Sequence, residues 1–224
     1  MNTVFLKSFA PPPVDRLEVL RYAGVKEPSP ETEALLDDCL QEAEGVFSYA
    51  VCYREFPVSF CDGVCDLSFA KTESKDLFKN LSGSTSVVLF AATVGITLDR
   101  LVSRYSKISP ARALMLNAIG AERIESLCNA FNQEITKEKK ALGLFTTPRF
   151  SPGYGDLPLT FQKDIFAVLD CARKIGLTLN ESLIMSPTKS VTALIGVTPC
   201  DRKNTKDRPC SGCNKADCAF RRII

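Results

Sequence analysis

Arg149, Phe150, Ser151, Pro152, Gly153 and Tyr154 form one run two-thirds of the way along the chain. Arg149 is a permanent cation whose planar fork suits a carboxylate. Pro152 fixes its own φ and Gly153 can take φ > 0, so the turn can bring backbone groups close to a ligand, with Arg149 and Tyr154 on either side. The same residues also suit a plain loop between two helices, because Pro-Gly marks turns of every kind. A second constellation lies near the C-terminus, as Cys200-x9-Cys210-x2-Cys213-x4-Cys218. Four thiolates at this spacing suit a tetrahedral zinc ion or an iron-sulfur cluster. A redox thiol pair and thiols without a role are the other two readings. Cys61-x3-Cys65 is a looser pair of the same kind.

The chain has 224 residues, ten Cys and no His. Without His there is no imidazole general base, no Ser-His or Cys-His nucleophile pair and no His metal ligand. With 28 basic and 26 acidic residues the net charge is only +2. No basic run is interleaved with aromatics, so nucleic acid is not an expected partner. No apolar run reaches the ~18 residues that span a bilayer, so a membrane is not expected either. Residues 1–13 lack the charged-then-apolar pattern of an export signal, and a cytoplasmic location is expected, where Cys are thiols or metal ligands more often than disulfides.

These residues need elements to position them. A stiff extended lead-in ends at Pro11-Pro12-Pro13, and a short helix is expected over 14–23, stopped by Gly24. Ser29 can cap a second helix whose apolar positions are Leu35, Leu36, Cys39, Leu40 and Ala43. Strand character follows over 46–55, loop and strand over 56–70, and a short helix over 75–81. Ser86 to Ala92 is a continuous apolar run of strand length. Leu98, Leu101, Val102 and Tyr105 mark a further helix. Pro110 suits the first turn of a long helix reaching about Lys139, with Ile124, Leu127, Cys128, Phe131 and Ile135 as its apolar face. Glu125 lies beside that face, where it reads equally as a solvated helix residue, and Gly120 mid-helix points to a close backbone approach. Thr160 can cap a helix over 161–175, stopped by Gly176. Short strands are expected over 177–179, 183–185 and 191–197. The pattern is that of an α+β protein, a mostly antiparallel sheet with a long helix packed against it. Residues 1–197 form the body, and 198–224 form a polar, Cys-rich tail.

From Gly120 onward the chain resembles the activation domain of cobalamin-dependent methionine synthase, which binds S-adenosylmethionine. The resemblance rests on Arg149-x-x-Pro152-Gly153-Tyr154, then Pro158, a helix, and Gly176-Leu-Thr-Leu-Asn-Glu181-Ser182-Leu-Ile-Met185-x-Pro187-x-x-Ser190-Val191. The N-terminal half is similar to the free-standing version of this domain in its Leu-Phe-Ala-Ala-Thr-Val-Gly strand end (89–95) and in Gly120-Ala121-x-x-x-Glu125. The resemblance implies that Arg149 pairs with the carboxylate of S-adenosylmethionine and that Glu125 approaches its ammonium or sulfonium, with Glu122 and Ser126 as neighbours one turn away. It implies that Ser151 offers backbone groups to the adenine, that Gly153 belongs to the same binding set and that Tyr154 stands beside the sulfonium and methyl group. The later block, Glu181, Ser182, Met185, Pro187 and Ser190, would support the site. The family also turns an N-terminal Asp toward the ligand's amino group, and Asp15 and Asp38 are the candidates.

The activity so implied is that of one component in a methionine synthase system. It would bind S-adenosylmethionine and methylate cobalamin carried on a partner, after one-electron reduction of the inactive form. Methyl transfer from a sulfonium needs alignment and desolvation rather than a general base, which a His-free chain can supply. The corrinoid would arrive on a corrinoid-binding methionine synthase subunit. The electron would come from a flavodoxin, a ferredoxin or a [4Fe-4S] cluster in the tail, where zinc would instead be a structural clip. Two alternatives remain open: a non-catalytic adaptor that docks a corrinoid protein, and an iron-sulfur electron-transfer protein on the same scaffold.

Overall fold

In a computed structural model of the chain, residues 3–201 are described. The strands are β1 (Phe5–Ser8), β2 (Ala50–Pro57), β3 (Ser59–Cys61), β4 (Val64–Asp66), β5 (Lys71–Thr72), β6 (Ser86–Thr93), β7 (Phe145–Thr146), β8 (Thr178–Leu179), β9 (Met185–Ser186) and β10 (Ser190–Thr198). The helices are α1 (Arg16–Tyr22), α2 (Pro30–Glu42), α3 (Lys75–Leu81), α4 (Thr97–Tyr105), α5 (Pro110–Ala141), α6 (Gln162–Leu169) and α7 (Cys171–Ile175). The expected α+β architecture holds. Five strands form one antiparallel sheet in the order β1-β2-β6-β10-β7.

The apolar run of β6 explains the layering. Every residue after Ser86 in this strand is buried, so its side chains need cover on both faces of the sheet. On one face Val88, Phe90 and Ala92 meet Ile124, Leu127, Cys128, Phe131 and Ile135 of α5, the apolar face read from the sequence. On the other, Val87, Leu89 and Ala91 meet Leu77 and Leu81 of α3, Ile165 and Leu169 of α6, and Cys171 of α7. Each fully buried Val, Leu or Phe contributes about 1.5–3 kcal/mol. The N-terminal half of α5 continues beyond the sheet and packs through Met115, Leu116 and Ile119 on α1, α2 and α4. Gly120 marks the crossing with α4: a Cβ there would lie 2.2 Å from Leu98 Cδ2.

Three expectations change. The extended lead-in is itself a strand, with Phe5 opposite Tyr53 at the edge of the sheet. The strand expected over 46–55 begins at Ala50, after a turn at Gly45 with φ +75°. The helix expected over 161–175 is two helices. It opens on a 3-10 turn at Leu159–Phe161 behind Pro158, so Thr160 is not its cap, and it breaks at Asp170, whose φ is +50°. Asp is one of the few residues that visits this left-handed region readily. The break turns Cys171 into the core and leaves Ala172 exposed.

Two polar anchors fix the parts that carry the site. The first is a buried ion pair. Glu122 and Arg123 are both 2% exposed, and Arg123 Nε donates to Glu122 Oε2 at 2.5 Å. Arg123 also donates to the carbonyls of Pro12 and Pro13, while Glu122 Oε1 accepts from Ser126 Oγ at 2.6 Å and from the Asp15 amide at 3.2 Å. The proline lead-in and the start of α1 are thereby strapped to the middle of α5. The second anchor is Asp156. Its carboxylate accepts from Ser74 Oγ, from the Lys75 amide at 2.7 Å and from the Asp76 amide at 3.2 Å, taking up free N–H groups of the first turn of α3. Gly155, at φ +52°, lets this contact close, because a Cβ there would lie 2.2 Å from Asp76 Oδ2.

Removing one partner of a buried pair leaves the other charge uncompensated. Glu122→Ala is therefore expected to cost about 3–5 kcal/mol in urea unfolding, while an exposed substitution such as Leu142→Ala changes little. Asp156 has its pKa lowered by the Ser74 hydroxyl and then by the Lys75 and Asp76 amides. A lowered folded pKa adds stability at neutral pH that is lost as pH falls through it. Asp156→Ala should lower the thermal midpoint at pH 7, and its gap from wild type should close below the usual carboxylate range.

Candidate functional site

The chain leaves α5 at Gly143, with φ +73°, and returns as the edge of the sheet. Thr146 pairs with Val197, and the Thr147 amide donates to the Gly196 carbonyl at 2.9 Å. The next contact is Phe150 with Leu194, whose amides and carbonyls exchange bonds of 2.9 and 2.8 Å. From 147 to 150 the edge thus advances three residues while β10 retreats two, which is a bulge. It falls at Pro148, which has no N–H to give to the ladder. A bulge re-aims side chains, and here Arg149 reaches across to α5. Its Nη2 donates to Glu125 Oε2 and its Nη1 donates to Asn129 Oδ1 at 2.8 Å. Glu125 and Asn129 are four residues apart and share one helix face.

The pair is half-buried, with side chains 21% exposed for Arg149 and 33% for Glu125. Cys128 lies in the core under it, and burial pushes its thiol up to about 12, with Arg149 opposing and Glu125 reinforcing the shift. A thiol held neutral in this way is no nucleophile. Tyr22, at the end of α1, is raised by burial and then by the charge of Glu125, and its ring lies 4.4 Å from the Arg21 guanidinium carbon. The arrangement offers a cation, an anion and a neutral acceptor in one place, a set suited to holding a ligand that carries both charges.

The turn follows directly. Pro152 is buried, Gly153 sits at φ +87°, and its amide donates to the Leu157 carbonyl at 2.9 Å. The Ser151 carbonyl accepts from the Tyr154 amide at 3.1 Å. Tyr154 is 71% exposed and stands open to solvent. Among the polar residues weighed as neighbours of the site, Glu122 is taken up by Arg123, and Ser126 donates its hydroxyl to Glu122. Asp15 caps α1 through the Glu18 amide at 3.1 Å. Asp38 pairs with Arg112 at 3.1 Å, ~20 Å along α5 from Glu125 at 1.5 Å per residue. In the later block Ser190 is buried and donates to Thr93 Oγ1 at 2.9 Å, whereas Glu181 and Ser182 lie exposed at the tip joining β8 and β9.

Asn129 and Tyr22 were not anticipated from the sequence. Asn129 was within reach of it, being one turn from Glu125. Tyr22 depends on how α1 packs, which no local pattern records. Cys61 and Cys65 do not form a site: Cys61 pairs with Val64 and Cys65 with Phe60, which puts the two thiols on opposite faces of a hairpin. No group of three or more potential metal ligands occurs among the described residues. Cys200 is exposed, while Cys210, Cys213 and Cys218 lie outside the described residues. A 680 Å³ cleft borders the same edge segment, lined by Lys79, Lys140, Phe145, Pro148 and Phe150, but it includes neither Arg149 nor Glu125. Among the described residues, no helix is long and apolar enough to cross a membrane.

Comparison with known proteins bears on the fold and the family. A crystal structure of the MetH reactivation domain bound to AdoHcy is similar in fold, with a TM-score of 0.61 over 89% of this chain and 80% of that one, at 18% identity. A search of curated protein sequences returned no match. The family profile "Vitamin B12 dependent methionine synthase, activation domain" matches residues 70–203, which is more than half of the chain and includes α5, the bulged edge, the Pro-Gly-Tyr turn and β10. The chain belongs to the activation-domain family of vitamin B12 dependent methionine synthase.

Proposed function

We propose that the chain binds S-adenosylmethionine at the Arg149–Glu125 pair and supports reductive methylation of cobalamin carried by a partner protein. The observation that carries this reading is the pair itself, set beside the Pro152-Gly153-Tyr154 turn. An α-amino acid is a zwitterion, and a paired Arg and Glu is its complement. The ligand carboxylate takes the Arg149 fork by two charge-assisted bonds, and its ammonium takes Glu125. Nothing net is gained or lost in charge, so the exchange avoids stranding an ion. The Ser151 and Gly153 backbone contacts the adenosine, and the exposed Tyr154 ring lies against the sulfonium, which an aromatic face attracts. S-adenosylmethionine supplies the methyl group to reduced cobalamin. The chain's own part is to hold the donor in line and to keep the sulfonium from water.

The corrinoid is presented by a corrinoid-binding methionine synthase subunit, and a flavodoxin or a ferredoxin delivers the electron. Thr198 closes β10 and belongs to the body, and beyond it Cys200, Cys210, Cys213 and Cys218 hold zinc or a [4Fe-4S] cluster. The six cysteines of the body, Cys39, Cys52, Cys61, Cys65, Cys128 and Cys171, are free thiols and take no part in that site.

Titration calorimetry with S-adenosylmethionine tests the binding. The wild type should bind, and Arg149→Ala should bind at least about a hundredfold more weakly, given the strength of bidentate ionic bonds. A wild type that does not bind overturns the reading, and unchanged affinity in Arg149→Ala overturns the placement of the carboxylate. For the tail, protein purified without oxygen should carry stoichiometric zinc, or iron with visible charge-transfer absorbance. Replacing Cys213 by Ser should abolish it, and metal-free wild-type protein would exclude the site.

A further inference from the structure

We propose that Asn129 is a positioning residue for Arg149, and that its neutrality is what lets the site accept an anionic ligand group. The inference rests on the S-adenosylmethionine reading given above. Arg149 donates from Nη2 to Glu125 Oε2 and from Nη1 to Asn129 Oδ1, the second at 2.8 Å. Because a guanidinium only donates, it is the carbonyl end of the amide that faces it. The two acceptors differ in what happens when a ligand arrives. Glu125 must release Nη2 for a carboxylate to engage the fork, and it then turns to the ammonium. Asn129 has no charge to exchange and no reason to leave. It holds Nη1 while the Nε and Nη2 side takes the two carboxylate bonds, so the guanidinium keeps its plane rather than returning to the many rotamers of a free Arg.

The charge count supports this. Arg149 and Glu125 cancel, so a zwitterion enters a site with no net field against either of its ends. An Asp at 129 would have nearly the same shape, but it would give one guanidinium two fixed carboxylates, and a third from the ligand would enter against excess negative charge. Asn and Asp at this position are therefore opposite in effect although alike in size. Asn129 lies on the exposed side of α5, where substitution leaves the core untouched.

The test uses S-adenosylhomocysteine titrated into the whole chain by calorimetry, with thermal unfolding as the control for folding. Asn129→Ala should weaken binding about fivefold, the worth of one hydrogen bond to a charged group at a partly exposed site. Asn129→Asp should weaken it by about tenfold or more, and that loss should shrink as salt is raised, since screening acts on charge and not on shape. In an Arg149→Lys background, which keeps the charge but lacks the fork, Asn129→Ala should cost less than about twofold, because the pair it would break is already gone. Two results overturn the inference alone: wild-type affinity in both Asn129 variants while Arg149→Lys binds weakly, or an equal loss from Asn129→Ala in the Lys background. Absence of binding by the wild type overturns the S-adenosylmethionine reading, and this inference with it.

Discussion

The central strands of the sheet are apolar on both faces, and the rest of the molecule follows from the need to cover them. Water on either face of β6 would expose Val87, Leu89 and Ala91 or Val88, Phe90 and Ala92. One face takes a single long helix, and the other takes α3, α6 and α7. A helix laid across a sheet has only one apolar stripe to spend on it, so its flank must face something else. In α5 that flank carries Glu125 and Asn129, and it faces the edge at 145–150. The meeting of Arg149 with Glu125 and Asn129 is thus a by-product of how a two-sided core closes at its rim.

Electrostatics divides α5 into two regions with different tasks. At Glu122 and Arg123 the charges are sealed from solvent and every donor is matched, which makes them a fixed fastening for the N-terminal segment. One turn further, Glu125 and Arg149 are only partly covered. A pair with residual access to water can exchange partners at modest cost, whereas a sealed pair cannot. Two neighbouring acids on one helix therefore differ in how freely they can change partners, through burial alone.

Much of this was legible in the sequence. The apolar face of α5, the caps at Ser29 and the stop at Gly24, the bounds of α3 and the buried run of β6 all depend on local periodicity and turn chemistry, and they were read as they stand. The positive φ of Gly153 was also legible, because Pro-Gly is a compact turn signal, whereas the pairing of Arg149 with Glu125 spans 24 residues and no local spacing records it. What escaped depends on distant contacts. The strand at Phe5 exists because Tyr53 is opposite it, and the break at Asp170 exists because Cys171 is drawn into the core. The bulge at Pro148 is visible only once β10 supplies a ladder against which a residue can be counted as extra. The choice between Glu122 and Glu125 needed Arg123 to be placed, since spacing alone leaves both on nearly the same side.

The bulged edge has a consequence for how other proteins can approach. A sheet edge normally presents a row of free N–H and C=O groups onto which a foreign strand can add. Here the outer strand β7 is two residues long, and the chain beyond it contains a proline and a register shift. No continuous template is left for strand addition at the rim beside Arg149. A macromolecule that reaches this rim must recognise it through side chains and helix surfaces, so its grip depends on shape and charge rather than on backbone pairing. Such contacts release more readily than a paired strand does.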